Sequence, residues 1–202
     1  MIQSTKVILS EEEKQLISNS GWIMIKLSIT NKVIGLLNYL LVDYKNIVST
    51  NKQYLIPGLY ISSPKISKGE NYLSLPYVIL DYPKIFNKNA VFAIRTMFWW
   101  GNFFSCTLHI SGHYKNILEE KLLYNITANK DAGLYICINE NEWKHHFGID
   151  NYRAITTLSN GEIAKLLKKP FIKVAYKINL QDWDIMHESL AEKFTKLMKL
   201  FY

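Results

Sequence analysis

Residues 75–112 read LPYVILDYPKIFNKNAVFAIRTMFWWGNFFSCTLHISG, and this stretch decides the fold. It contains two apolar runs, Val91 to Trp100 and Phe103 to Ile110, on either side of the dipeptide Gly101-Asn102. A two-residue loop that begins with glycine suits a type II′ turn between antiparallel strands. The stretch therefore predicts a β-hairpin at the centre of a sheet.

The register of this hairpin follows from the length of its turn. If the loop has two residues, Trp100 pairs with Phe103. Counting back then places Arg95 opposite Leu108, so that Arg95 and His109 lie on opposite faces, because paired residues share a face. One face is an almost continuous apolar surface that a helix can cover: Arg95, Met97, Trp99, Phe104, Cys106, Leu108 and Ile110. The other face mixes aromatic rings, hydroxyls and an imidazole: Thr96, Phe98, Trp100, Phe103, Ser105, Thr107, His109 and Ser111.

The mixed face has two interpretations. Apolar area with a few polar groups is typical of a pocket wall. The same mixture is typical of a sheet face that is half solvated. Residues 49–74 show no periodicity and predict a long irregular segment, in which the loop Ser63 to Asn71 can approach a ligand from above the sheet. The predicted ligand-binding residues are Lys68, Thr96, Phe98, Trp100, Phe103, Ser105, Thr107 and His109.

Three segments of this region also resemble a known family. They are PKISKGENY at 64–72, LPYVILDYP at 75–83 and IRTMFWWGNFFSCTLHISG at 94–112. Together they are similar to a bacterial protein family of about this length that has no assigned activity. The resemblance covers roughly the middle quarter to third of the chain, and it implies no function.

Composition indicates a globular protein and one α+β domain over residues 1–202. The chain is 49% hydrophobic and 20% charged, with a net charge of +7 that is spread as lysine. Binding of nucleic acid would need cations among the aromatic residues of an exposed sheet face. The hairpin carries one cation, Arg95, on the predicted apolar face. The pattern therefore argues against a nucleic-acid partner.

The cysteines and the N-terminus favour the cytoplasm. Cys106 and Cys137 fall in predicted strands and are expected to be buried thiols in a reducing compartment. The first residues do not have the pattern of a signal peptide. The most apolar window, Gly21 to Val42, is interrupted by Lys26, Asn31 and Lys32. We expect a buried helix there and no membrane span.

Other patterns place the remaining elements around the hairpin. Capping boxes at Ser10 and Ser159 predict helix starts. Helices are predicted from Ser10 to about Asn19, from Gly21 to about Val48, from Ser159 to about Lys169 and from Leu180 to Phe201, with a short helix or loop at His113 to Asn125. Strands are predicted at Tyr77 to Tyr82, Leu134 to Ile138 and Phe171 to Ile178. The predicted fold is an antiparallel sheet of four or five strands, covered by the N-terminal and C-terminal helices.

Candidate catalytic groups are few. Asp81 is an acid in an apolar run, and we expect it to pair with Arg95 for reasons of solvation. Residues 140–152 are rich in reactive side chains but contain no recognisable motif. His109 and His113 are four residues apart, a spacing that can bind a metal on a helix, but Ser111 and Gly112 between them argue against a helix, and no established metal-binding motif occurs. No cofactor is indicated.

Three functional hypotheses follow. The first is a non-catalytic module that binds a small molecule, a peptide or a partner protein on the mixed face. The second is a small enzyme with His109 as acid or base, assisted by Asp81, Arg95 or Lys68. The third is a homo-oligomer that uses the Trp and Phe side chains as its interface.

Overall fold

The computed structural model describes residues 8–201 and is an α+β fold built on one antiparallel sheet. Within those residues the strands are β1 (Lys65–Tyr72), β2 (Leu75–Asn87), β3 (Ala90–Trp99), β4 (Phe103–Ser111), β5 (Leu134–Cys137), β6 (Tyr152–Ala154) and β7 (Phe171–Asn179). The helices are α1 (Glu11–Ser18), α2 (Ser20–Thr50), α3 (Gly112–Ala128), α4 (Asn160–Leu167) and α5 (Met186–Lys199). The predicted fold class is confirmed. The prediction of four or five strands is too low, since seven strands form across the described residues.

The last strand of the chain lies inside the sheet. The strand order is β1-β2-β3-β4-β7-β5-β6. Strands β1 to β4 form a meander of consecutive antiparallel neighbours, and β7 pairs with β4 on one side and β5 on the other. Strands β5 and β6 therefore connect to the meander through β7, which comes after both of them in the sequence.

The central hairpin forms where it is predicted, but its register is shifted by one residue. Trp99 pairs with Phe103, so residues 100–102 make the loop. Trp100 leaves the hairpin because its amide donates instead to the carbonyl oxygen of Pro76 on β2, at 3.0 Å. The loop glycine has a φ of 69°, a left-handed conformation that suits a three-residue loop. A tertiary contact with β2 therefore sets the length of the turn.

The shift moves the side chains of β3 to the opposite face relative to those of β4. Arg95 pairs with Thr107 and Ala93 pairs with His109, so Arg95 and His109 share a face and their predicted separation is wrong. The face that the helices cover, the helix face, carries Phe92, Ile94, Thr96, Phe98, Phe104, Cys106, Leu108 and Ile110. The opposite face, the loop face, carries Ala93, Arg95, Met97, Trp99, Phe103, Ser105, Thr107 and His109.

The terminal helices cover the helix face, as predicted. Helices α2 and α5 pack against each other there, and the rings of Tyr44 and Phe194 stack at 3.7 Å. The Tyr44 hydroxyl lies 3.0 Å from the hydroxyl of Thr96 on β3. Cys106 and Cys137 are free and buried, as expected. Burial raises the pKa of the Cys106 thiol to about 12.

Helix α2 has two dissimilar halves. From Val33 onward its core-facing residues are fully buried: Val33, Leu37, Leu40, Tyr44 and Val48. Residues 20–32, here called the N-terminal segment of α2, are mostly exposed. Among the described residues α2 is also the one helix long and apolar enough to cross a bilayer, a property that core helices of soluble proteins share.

Two predictions for the first part of the sheet are wrong. Residues 63–71 are not a loop, because most of them form the edge strand β1. The strand β2 does not end at Pro83 but runs to Asn87. Proline lacks an amide proton and is tolerated in a strand at an irregularity, and the pairing of β2 with β3 shifts between Asp81 and Lys84.

Candidate functional site on the loop face

The loop face is covered by the connection between β5 and β6, residues 138–151, here called the β5–β6 loop. It contains no helix or strand, yet its own hydrogen bonds close it. At its base the amide of Ile138 donates to the carbonyl of Asn151 at 2.8 Å. The Asn139 side-chain amide donates to the carbonyl of Asp150 at 2.9 Å, and the amide of Asn151 donates to the carbonyl of Gly148 at 2.9 Å.

Lys173 on β7 holds this loop from below. Its side chain is 2% exposed. The ammonium group donates to the carbonyl oxygen of Glu142 at 2.9 Å and to that of Lys144. It also lies 5.5 Å from the centre of the Tyr152 ring. A buried ammonium needs several partners to offset its desolvation, and the loop backbone provides two of them.

Asp81 and Arg95 form the second attachment. They are directly paired across β2 and β3, and the guanidinium makes a bidentate contact with the carboxylate, at 2.8 and 3.0 Å. The predicted pair is confirmed. The remaining guanidinium nitrogen, Nη1, lies 3.1 Å from Nε2 of His145 in the loop. Because a guanidinium can only donate, Nε2 is the acceptor and the neutral imidazole carries its proton on Nδ1.

His109 and Glu142 form the third attachment. Nε2 of His109 lies 2.6 Å from Oε2 of Glu142, and the imidazole is buried while the carboxylate is 28% exposed. Since a carboxylate accepts, His109 donates from Nε2. The ring of Trp143 packs edge-on against His109 at 5.2 Å. This pair has the geometry of an imidazole oriented by an acid, with one side of the acid open to water.

Aromatic side chains complete the attachment. The Tyr72 hydroxyl on β1 accepts hydrogen bonds from the amides of His145 and His146, at 2.6 and 3.1 Å. The ring of Phe147 stacks on Tyr152 at 4.5 Å and meets Phe103 edge-on at 5.0 Å. The loop is therefore tied to β1, β3, β4 and β7.

Burial shifts the pKa values of the titratable groups beneath and within the loop. Burial, and then the charges of Lys173 and Arg95, lower the pKa of His145 to about 2. Burial also lowers the pKa of His109, against the opposing effect of Glu142. The hydrogen bond from His109 lowers the pKa of Glu142. Burial lowers the pKa of Lys173 to about 8. Near neutral pH both imidazoles are therefore neutral, while Glu142 and Lys173 are charged.

The structure divides the predicted ligand-binding residues between the two faces. Phe103, Ser105, Thr107 and His109 lie on the loop face, with the catalytic candidates Asp81 and Arg95. Thr96 and Phe98 lie on the helix face and are buried in the core. Lys68 pairs with Val78, a core residue, so it lies on the helix side of the edge strand. Trp100 is in the hairpin turn and packs against Phe98 at 5.8 Å.

Several residues of the site have no individual prediction from sequence. They are Tyr72, Glu142, His145, Tyr152 and Lys173. The richness of residues 140–152 in reactive groups and the alternation of β7 are the available signals. Neither signal indicates which residues contact each other in the folded chain. Across residues 8–201 no three His, Cys, Asp or Glu side chains are placed to hold a metal ion.

Several grooves on the described residues lie away from the loop face, and two of them exceed 600 Å³. One, of about 720 Å³, is bordered by Asp131, Tyr176 and Lys196, whose polar groups bond to one another. The other, of about 630 Å³, lies between the N-terminal segment of α2 and the ends of β2 and β3. It is lined by Trp22, Ile25, Lys26, Glu70, Ser74, Leu75, Pro76 and Trp100.

Comparisons of the chain with protein-family models, with curated proteins and with solved structures gave no match. The resemblance of residues 64–112 to a bacterial family therefore stays a prediction. Function has to be argued from the geometry of the site.

Proposed function

We propose that this protein is a non-catalytic binding module that contacts a protein or peptide partner with the β5–β6 loop. One observation carries the proposal. The loop is fixed from below by buried groups of the sheet, while its outer side presents Trp143 and Ile149, which are 47% and 92% exposed.

The way the loop is held supports a role in recognition. A loop whose only task was to cover the sheet could do so with apolar side chains and would avoid the desolvation of a buried lysine. Here Lys173, Arg95 and His109 all bond to the loop. A surface that is ordered before binding loses less conformational entropy when a partner docks. Residues that bind partners often lie on loops held by a rigid scaffold.

The exposed side chains favour a macromolecular partner. Tryptophan is enriched among the residues that dominate binding energy at protein interfaces. Ile149 follows Gly148 in the turn that leads into β6, and its large aliphatic side chain is exposed to water there. The part of the predicted pocket wall that lies on β4, including Thr107 and His109, is covered by the loop itself, which argues for a peptide or protein over a small molecule.

Site-specific photo-crosslinking in a lysate of the source cells tests this proposal. A photoreactive residue is placed at Ile149, at Trp143 or, as the matched control, at the exposed Tyr124 on α3. We expect the two loop positions to yield the same adduct, which excess unlabelled protein displaces and excess Ile149→Asp protein does not. Adducts that are equally abundant at Tyr124, or that Ile149→Asp protein displaces equally well, would contradict the proposal.

A second candidate function is acid–base catalysis by His109. The observation that favours it is the 2.6 Å contact with Glu142, which holds a neutral imidazole beside a carboxylate that water can reach. Arg95 would then act as an electrostatic helper on the same face.

A thermal-shift screen against metabolites, nucleotides and metals tests this second candidate. A ligand of the site should raise the unfolding midpoint of the wild type and of the His113→Gln control but not that of His109→Gln, because binding to the folded state stabilises it. Equal shifts in all three proteins, or no shift from any compound, would argue against a site at His109.

A further inference from the structure

We infer that α1 and the N-terminal segment of α2 form a self-association surface, and that its occupant is a second copy of this chain. The surface is separate from the β5–β6 loop, so the inference goes beyond the proposed function and does not depend on it.

The first argument is the exposure of large apolar side chains along these two helices. Ile17, Met24 and Ile25 are 72%, 65% and 62% exposed. The other exposed apolar residues of the surface are Leu16, Trp22, Ile23 and Leu27. Soluble monomers rarely expose a contiguous apolar patch of more than a few hundred Å².

The second argument is the direction in which these side chains point. Successive residues of an α-helix are rotated by about 100°, so the four consecutive residues Trp22 to Ile25 point to all sides of α2. A helix that is apolar all round is normally covered on several sides. Among the described residues, contacts with the rest of the chain leave these four exposed. Within the described residues no element covers them, so a cover has to come from elsewhere.

A second copy of α1 and α2 can provide such a cover. Two copies of this helical segment that pack against each other cover each other's apolar side chains. In an antiparallel arrangement, the acidic first turn of α1 (Glu11, Glu12 and Glu13) would lie near Lys32 of the other copy. Opposite charges on the two helices suit association of the chain with itself.

The size of the surface agrees with a dimer. If each of the seven exposed side chains offers on the order of 100 Å², the total approaches the roughly 800 Å² that one partner contributes to a standard interface. The groove beside Trp100 adds concave apolar area next to Trp22 and Ile25. A protruding α1 from the second copy could place Leu16 and Ile17 there.

A lipid bilayer fits the surface less well. Residues 20–32 extend about 20 Å as a helix, less than the roughly 30 Å of a hydrocarbon core. Their polar members include Lys26, which pairs with Glu70 of β1 at 2.6 Å, and Lys32. The acids Glu11 to Glu13 precede the segment and would be repelled by anionic lipids.

Light scattering on the full chain tests the inference. The mass is measured from about 1 to about 100 µM, where weak dimers dissociate. The proteins are the wild type, the variant Met24→Glu/Ile25→Glu, and the control Tyr39→Glu/Val42→Glu, which changes exposed residues of α2 outside the segment. We expect the wild type and the control to reach twice the 23.6 kDa of one chain. The variant should stay at the mass of one chain, with an unchanged urea midpoint.

A wild type that remains monomeric over this range overturns the inference, and so does a control that dissociates like the variant. The same proteins are mixed with vesicles of phosphatidylcholine and phosphatidylglycerol and floated on a gradient. Flotation of a monomeric wild type that the variant loses would assign the surface to a bilayer instead.

Discussion

The β5–β6 loop has no regular secondary structure and yet is tied to four strands, whereas the N-terminal segment of α2 is regular helix with few ties to the body. In the loop, the groups that set its position are side chains of the sheet such as Lys173 and Arg95. In the helix, backbone hydrogen bonds set the conformation, and Lys26 is the side chain that pairs with the sheet through Glu70. Regularity of the backbone and attachment to the fold are therefore separate properties. The β5–β6 loop is held in place by its own chain, whereas the N-terminal segment of α2 carries the exposed apolar surface for which we propose a second copy as cover.

The largest effect is expected from a change to Asp81 and Arg95, the buried charge pair beneath the loop. Arg95→Met leaves the Asp81 carboxylate buried without its guanidinium, which we expect to lower the free energy of unfolding by about 3–5 kcal/mol. Urea denaturation measures the change. The double variant Asp81→Asn/Arg95→Met removes both charges and should recover part of the loss. A cost below about 1 kcal/mol for the single variant would show that the pair does not anchor this region.

The next test separates the loop from the rest of the fold. Lys173→Met keeps the volume of the side chain but leaves the carbonyls of Glu142 and Lys144 without their donor, which should cost about 2 kcal/mol. Amide hydrogen exchange should rise within residues 138–151 and stay unchanged in α2. The matched control is Lys177→Met, an exposed lysine of the same strand. Uniform exchange across the chain, or an equal effect of the control, would contradict the role of Lys173.

The pH dependence of stability tests the burial of His145. The unfolded chain protonates His145 below about pH 6.5, while in the folded state its pKa is about 2. Stability from this group is therefore present above about pH 6.5 and is lost as the pH falls, by about 2 kcal/mol at pH 5. His145→Asn should flatten the curve of unfolding free energy between about pH 7 and pH 5, and His113→Asn should not. A curve that keeps its slope in His145→Asn would place the acid sensitivity elsewhere.

The smallest effect is expected in the N-terminal segment of α2. Ile25→Ala should change the free energy of unfolding of the monomer by less than about 0.5 kcal/mol, because the side chain is exposed there. Leu37→Ala, on the buried half of the same helix, should cost about 2–5 kcal/mol. Both are measured at a concentration low enough to keep the chain monomeric. A large cost for Ile25→Ala would mean that the segment packs on its own chain, and the contrast with the loop would fail.

Sequence reasoning predicts features that depend on neighbouring residues. The two capping boxes are present because each needs only Ser10 with Glu13, or Ser159 with Glu162. The contact of Asp81 with Arg95 follows from an acid in an apolar run and a cation on the next strand. The α+β class follows from the same local patterns.

The hairpin register and the contacts of the site could not be predicted, because they depend on contacts between distant parts of the chain. The hairpin register depends on whether the amide of Trp100 bonds to β4 or to β2, and the sequence of the turn does not contain that choice. Lys173 binds backbone carbonyls, which have no signature in a sequence. His109 and Glu142 are far apart in the chain and meet only because the β5–β6 loop folds back over the sheet. The site is thus a property of the topology more than of any motif.

The position of β7 also determines when the sheet can be completed during synthesis. A ribosome synthesises β5, the β5–β6 loop and β6 before it adds Lys173 and the strand that joins them to the meander. At about 5–20 residues per second, the delay between β6 and Lys173 is about one to four seconds. During that interval the nascent meander ends at β4, an aromatic edge that another chain could pair with. The sheet is therefore completed only after β7 has been synthesised, because β5 has no place in the sheet until β7 pairs with both β4 and β5.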